Sequence, residues 1–208
     1  MKKVWAVLLL LCMVCTQALA IGDDIEMMDF CTREYTDEAG NLWIYAVYTV
    51  GNWGEIPTSP THISIMLLDK NGAPMKNLYY PLYPPVIEPN SMAYAVGIFC
   101  LTPEEQQQYG SVMADFYGGT PTAKEPLPVM QTESTVEGAH AVTRITNTSG
   151  ADAETVKVLH LYRNDGNEIV GAHETEVSLK TDETVEVEHT FTFAPYESVE
   201  TIAFIPAQ

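Results

Sequence analysis

"IMLLDKNG", residues 65–72, returns later in the chain as "VLHLYRNDG", residues 158–166. Each is an apolar strand, a charged step and then Asn-Gly or Asp-Gly. That pair marks a tight hairpin, because these residues accept the positive φ that the reversal needs. Three more blocks recur in the same order around the two phrases. "AVYTVGNWGEIPT" (46–58) lies against "AVTRITNTSGADA" (141–153), with Asn52 opposite Asn147. "PNSMAYAVGIF" (89–99) lies against "TDETVEVEHTF" (181–191), and "SVMADFY" (111–117) against "SVETIAFI" (198–205). Four blocks in one order make an internal duplication. The alignment sets Gly166 against Gly72 and Leu159 against Ile65, while His189, on the apolar face of its strand, is read as the counterpart of Val96.

The apolar period within the blocks is two, that of strands. In "TVEVEHTFTF" (184–193), Val185, Val187, His189, Phe191 and Phe193 share one face, while Glu186, Glu188, Thr190 and Thr192 share the other. That is a half-buried strand with a solvated acidic side. "NLWIYAVYTV" (41–50) has apolar residues on both faces and predicts a strand buried on both sides. One helix is predicted, of about two turns, in "LTPEEQQQY" (101–109): Thr102 caps it, Pro103 suits the first turn and Glu105 completes a capping box. "GGTPTAKEPLPV" (118–129) has the Gly and Pro content of a short, stiff linker. The expected fold is therefore all-β: two tandem immunoglobulin-like β-sandwich domains, 21–117 and 130–208, with the helix in the first and separate cores.

The phrase Ile65-x-Leu67-Leu68-Asp69, and more closely Leu159-x-Leu161-Tyr162-Arg163, resembles the FxLYD signature. The preceding Val50 to Gly54 and Ile145 to Gly150 turns are similar to its V-x-N-x-G element. The resemblance spans nearly all of residues 21–208. Phe is replaced by Ile or Leu, and Asp by Arg in the second copy. It implies exported or surface-attached bacterial sandwich modules, and it carries over no catalytic or binding residue.

Residues 1–20 read as a secretory signal peptide: a basic "MKK", the apolar run "VWAVLLLLCMVC" and a small-x-small site at Ala18-Leu19-Ala20. The run is short for a membrane span. A lipid anchor at Cys12 or Cys15 would need a small residue before the cysteine, where Leu11 and Val14 stand. The expected location is secreted, extracellular or at the cell surface, with no membrane insertion after cleavage. The whole sequence carries a formal charge of −18, from 10 basic and 28 acidic residues, and loss of Lys2 and Lys3 makes it more acidic still. Such a surface repels phosphate backbones and anionic lipid, so no nucleic-acid partner is expected.

Cys31 and Cys100 remain after processing, and in an oxidising compartment an even pair is read most simply as a disulfide; two separately buried thiols are the alternative. No Gly-x-Ser-x-Gly occurs, and Glu104 and Glu105 have a local explanation as negative charge at a helix start. No enzyme activity and no cofactor are expected. "YRNDGNE" (162–168) places only Asp165 at an alternating position suited to a calcium-loop ligand. His160 and His173 fall on adjoining strands of the second hairpin, a weak zinc or copper pair lacking an evident third ligand, so no metal is expected. The binding candidates are aromatic: Tyr79, Tyr80 and Tyr83 in "NLYYPLYPP" (77–85), and Trp53 in the preceding loop. Exposed, they would stack on sugars or anchor a protein partner; turned inward, they would be core residues beside prolines that block edge pairing. The sequence thus points to an exported bacterial interaction or assembly module with an unknown protein or glycan partner. Carbohydrate binding by the aromatics is the competing reading.

Overall fold

A computed structural model of the chain describes residues 25–59, 62–117, 122–123 and 125–206. The proposed leader and part of the proposed linker lie outside those residues. The described residues are all-β with one short helix. In order they form β1 (Ile25–Thr36), β2 (Leu42–Asn52), β3 (Thr58–Ser59), β4 (His62–Asp69), β5 (Pro74–Tyr80), β6 (Ser91–Leu101), α1 (Pro103–Gln106) and β7 (Tyr109–Tyr117). The second half follows with β8 (Thr122–Ala123), β9 (Gln131–Glu137), β10 (His140–Thr146), β11 (Ala153–Arg163), β12 (Ile169–Leu179), β13 (Thr184–Thr190) and β14 (Ser198–Phe204).

Two β-sandwiches follow one another along the chain. The first faces sheet β1-β2-β6 with sheet β5-β4-β7; the second faces β9-β10-β13 with β12-β11-β14. In each copy two hairpins enter opposite sheets, and the last two strands return one to each sheet. The β3–β8 pair ties residues 122–123 to the first sandwich, whereas Met130 donates to Ala203 O and Ile205 to Pro128 O in the second.

The duplication is real at the level of register. Thr49 of β2 pairs with Tyr94 as Arg144 pairs with Glu186, and Leu68 pairs with Ser111 as Arg163 pairs with Ser198. Asn52 and Asn147 are fully buried and do one job twice. Each side-chain amide donates to carbonyls of its own loop and of a distant strand or loop: Ile56 and Ile87 for Asn52, Ala151 and Leu179 for Asn147. Each side-chain oxygen accepts from the backbone two residues on, at Gly54 and Ser149.

The hairpin phrase is offset by one residue from the alignment that set Gly166 against Gly72. Asp69 and Asn164 hold equivalent places: Asp69 N donates to Ala73 O and Asn164 N to Glu168 O, and each side chain accepts a turn N–H. The positive φ falls on Gly72 (82°) in the first copy and on Asn167 (62°) in the second, so Gly166 does not carry it. Asn tolerates the left-handed region through local hydrogen bonding. The slip matters because one residue exchanges the two faces of a strand. His160, not Leu159, therefore stands where Ile65 does. Independently of that offset, His189 pairs with Ala141 as Gly97 pairs with Ala46, so its counterpart is Gly97 and not the expected Val96.

The helix is capped as its sequence predicts but runs one turn. The Thr102 hydroxyl accepts from Glu105 N, Glu105 accepts from Thr102 N, and Pro103 opens the turn.

The cores are not separate. Ile44, Ala46, Tyr48 and Val50 point into the first sandwich with Ile63, Ile65 and Leu67, and Ile145, Val156 and Val158 fill part of the second. A third cluster joins the halves: Tyr45, Val47, Tyr94 and Val96, on the other face of sheet β1-β2-β6, pack with Leu159, Leu161, Ala172 and Phe204. The two sandwiches are thus stacked face to face in four layers, and β2 and β11 are buried on both sides. That is why residues 41–50 are apolar without alternation. Burial of such a face is the dominant stabilising term, roughly 25 cal/mol per Å² of apolar surface.

Candidate functional site: the seam and the polar centre of the second sandwich

The seam is bound by aromatic contacts and polar ties. Tyr35 stacks on Phe193 with ring centroids 5.5 Å apart, and its hydroxyl donates to Val170 O at 2.7 Å. Tyr45 meets Phe191 edge-on at 5.5 Å, and Tyr83 meets Phe204 at 5.7 Å. Arg163 donates to Glu200 through Nε (3.0 Å) and Nη2 (2.6 Å), and Nη2 also reaches the Tyr94 hydroxyl at 3.4 Å. That hydroxyl donates in turn to Glu200. Burial, with the Glu200 charge, pushes the Tyr94 hydroxyl up to about 12.

At one end the seam opens into a cleft of about 470 Å³, lined among others by Met28, Cys31, Arg33, Met92, Tyr94 and Arg163. Met28 and Trp53 close over Gly51 so tightly that a Cβ there would lie 3.2 Å from Met28 and 3.1 Å from Trp53. Met28, Met92 and Trp53 are among the exposed large hydrophobic residues. Arg33 pairs with Glu168 across the mouth at 3.4 Å. Burial first, then the Asp29 charge, pushes the Cys31 thiol up, which makes it a poor nucleophile. The cleft combines flexible thioethers, an aromatic rim and guanidinium groups already held in ion pairs, a surface suited to recognition rather than to bond cleavage.

The expected disulfide is absent: Cys31 and Cys100 are free thiols. Cys31 faces Val47 on β1 and Cys100 faces Trp43 on β6, with strand β2 and four residues of register between them. Sheet spacings place them about 16 Å apart, well beyond the roughly 7 Å that a bridge spans.

The four candidate aromatics separate. Trp53 and Tyr79 are exposed, at 43% and 64%. Tyr80 packs edge-on against Phe99 with its hydroxyl buried, and Tyr83 is buried in the seam. The alternation of β5 and the bridge between Tyr83 and Tyr94 turn these two rings inward. Four rings therefore do not form one stacking platform.

His160 and His173 are directly paired across β11 and β12, as their spacing predicts. His189 joins them: its ring lies 3.9 Å from His160, and His173 lies 6.0 Å from His160 on the outer side. The rings are near parallel. Imidazole lone pairs lie in the ring plane, so stacked rings send them side by side and not to one point, which is no coordination sphere. Hydroxyls take the nitrogens instead. Thr201 Oγ1 is 2.9 Å from His160 Nδ1, Thr143 Oγ1 is 3.0 Å from His189 Nε2, and the Tyr162 hydroxyl is 2.9 Å from His189 Nδ1. Ser134 bonds both Thr143 and Thr201. His160 Nε2 is buried with no hydrogen-bond partner among the described residues. Burial, with the neighbouring imidazoles, pushes His160 down to about 3 and His189 down to about 4.

Sequence reasoning found the His160–His173 pair but missed the network, whose members come one or two at a time from separate strands. It missed the cleft for the same reason, although two arginines near one surface of an acidic chain were a usable signal. No protein-family model matches the chain, and no curated protein matches its sequence.

Proposed function

We propose that this chain is an exported, non-enzymatic bacterial interaction or assembly module, built of two immunoglobulin-like, FxLYD-type sandwiches, that takes a protein partner at the seam cleft. The observation that carries the reading is the apolar seam itself: it packs the sandwiches face to face and leaves a cleft with exposed Met28 and Met92 beside Arg33 and Arg163. Adaptable thioethers around paired charges suit a polypeptide segment with mixed side chains. The immunoglobulin-like reading is supported by the two-hairpin crossover present in both copies and by the repeated roles of Asn52 and Asn147. Export is supported by the leader-like residues 1–20.

The test is affinity capture from native envelope and culture medium, run beside a glycan array. The wild-type chain should retain a partner that a Met28→Glu, Met92→Glu variant loses while its melting temperature stays within a few degrees. Capture unaffected by those changes would move the site elsewhere. Glycan binding abolished by Trp53→Ala or Tyr79→Ala would replace the reading with carbohydrate recognition.

A further inference from the structure

Five positions at the centre of the second sandwich carry Ser134, Thr143, His160, His189 and Thr201. The register of the first sandwich puts Phe30, Tyr48, Ile65, Gly97 and Ala114 at those places. One copy is filled with apolar groups; the other holds two stacked imidazoles bonded to hydroxyls. The bonds span the gap between sheets: His189 and Thr143 project from β13 and β10, and Tyr162, His160 and Thr201 from β11 and β14. The network closes with both imidazoles neutral. Each neutral ring offers one donor and one acceptor, and His189 uses both, toward Thr143 and Tyr162. A proton added to His160 requires N–H on both nitrogens, and Nε2 has no acceptor. Nor, among the described residues, does any carboxylate face the pair. From the packed strands the facing groups are Ser134, Thr143, Tyr162, His173 and Thr201, while Glu186 and Glu188 point outward and Glu174 and Glu200 lie on the seam side.

We propose that the His160–His189 stack is an acid-operated latch that opens the second sandwich while the first stays closed. Below the ordinary histidine range the unfolded chain takes up protons that the closed network refuses. The stability contributed by the neutral pair is therefore whole above about pH 6.5 and is lost as pH falls toward 4. Two imidazolium rings at stacking distance would repel each other and drive the β13–β10 side from the β11–β14 side. The seam lies on the far face of β11 and need not break. This latch goes beyond the proposed binding role and does not depend on it.

Hydrogen exchange of the full chain at pH 7 and pH 4.5, corrected for intrinsic rates, tests the latch. Peptides spanning 140–146 and 184–190 should lose protection at least about tenfold more than peptides spanning 42–52 and 91–101. His160→Leu should move the acid midpoint of that loss down by about one pH unit. Equal loss in both sandwiches, or an unchanged midpoint in the variant, overturns the proposal. If the variant fails to fold, wild-type imidazole resonances decide: titration of His160 and His189 well below 6.5, together with the loss of protection, supports the latch. Titration near 6.5 in the closed fold overturns it.

Discussion

The two sandwiches share a topology and a register, yet their centres are chemical opposites. Ile65 and His160 are both fully buried in the middle of equivalent strands. Ile65 shares its core with Tyr48, Ala95 and Phe99; around His160 lie Thr143, His189 and Thr201. The duplicated backbone accepts either filling, so the fold itself does not demand the histidines. A buried polar network is often no more stabilising than a well-packed apolar one. Its presence in one copy alone marks that copy as specialised.

Truncation shows the contrast most strongly. Ile65→Ala should cost about 2–5 kcal/mol, by lost transfer energy and a residual cavity, and the cost should be the same at pH 7 and pH 4.5. Chemical denaturation at both values checks this, and a strongly pH-dependent cost would mean that the first centre also titrates. Thr143→Val keeps the shape but strands His189 Nε2, which should cost about 1–3 kcal/mol at pH 7. The same measurement reads it, and a neutral result would show that the hydroxyl is replaceable. The hairpins give the smallest effects. Gly72→Ala should cost about 1 kcal/mol at its positive φ, whereas Gly166→Ala should stay within about 0.5 kcal/mol. Equal penalties in thermal melts would undo the one-residue offset between the copies.

Much of this was legible. Strand period, the capping box and the two-sided apolarity of residues 41–50 announced the layers, because each is a local pattern with one physical meaning. The hairpin offset was hidden because glycine dominates positive-φ signals, and "NDGN" contains both Gly166 and the Asn167 that takes the role. From that slip followed the wrong counterpart for His160, whereas His189 was simply miscounted by one place within a correctly aligned block. The seam was half visible: the sequence showed that β2 needed cover on both faces, but nothing local said that the second copy supplies it. The cysteines misled because compartment and parity carry no distance. The aromatic stretch divided because the chain turns Tyr79 outward and Tyr80 and Tyr83 inward.

The face-to-face packing is a head-to-tail contact between unlike surfaces, and such contacts propagate unless something stops them. The seam face of the second sandwich is made by Leu159, Ala172 and Ile202. At the same places on the outer face of the first stand Ser64, Asn77 and Asp115. At the other end, Glu186 and Glu188 replace Tyr94 and Val96, and His140 replaces Tyr45. At these places both outer faces carry polar groups where the seam is apolar, as the terminal units of a solenoid do, although Tyr79 and Met113 also stand exposed on the first. The described residues hold two repeats, and side chains rather than a change of fold distinguish the seam face from the faces opposite it.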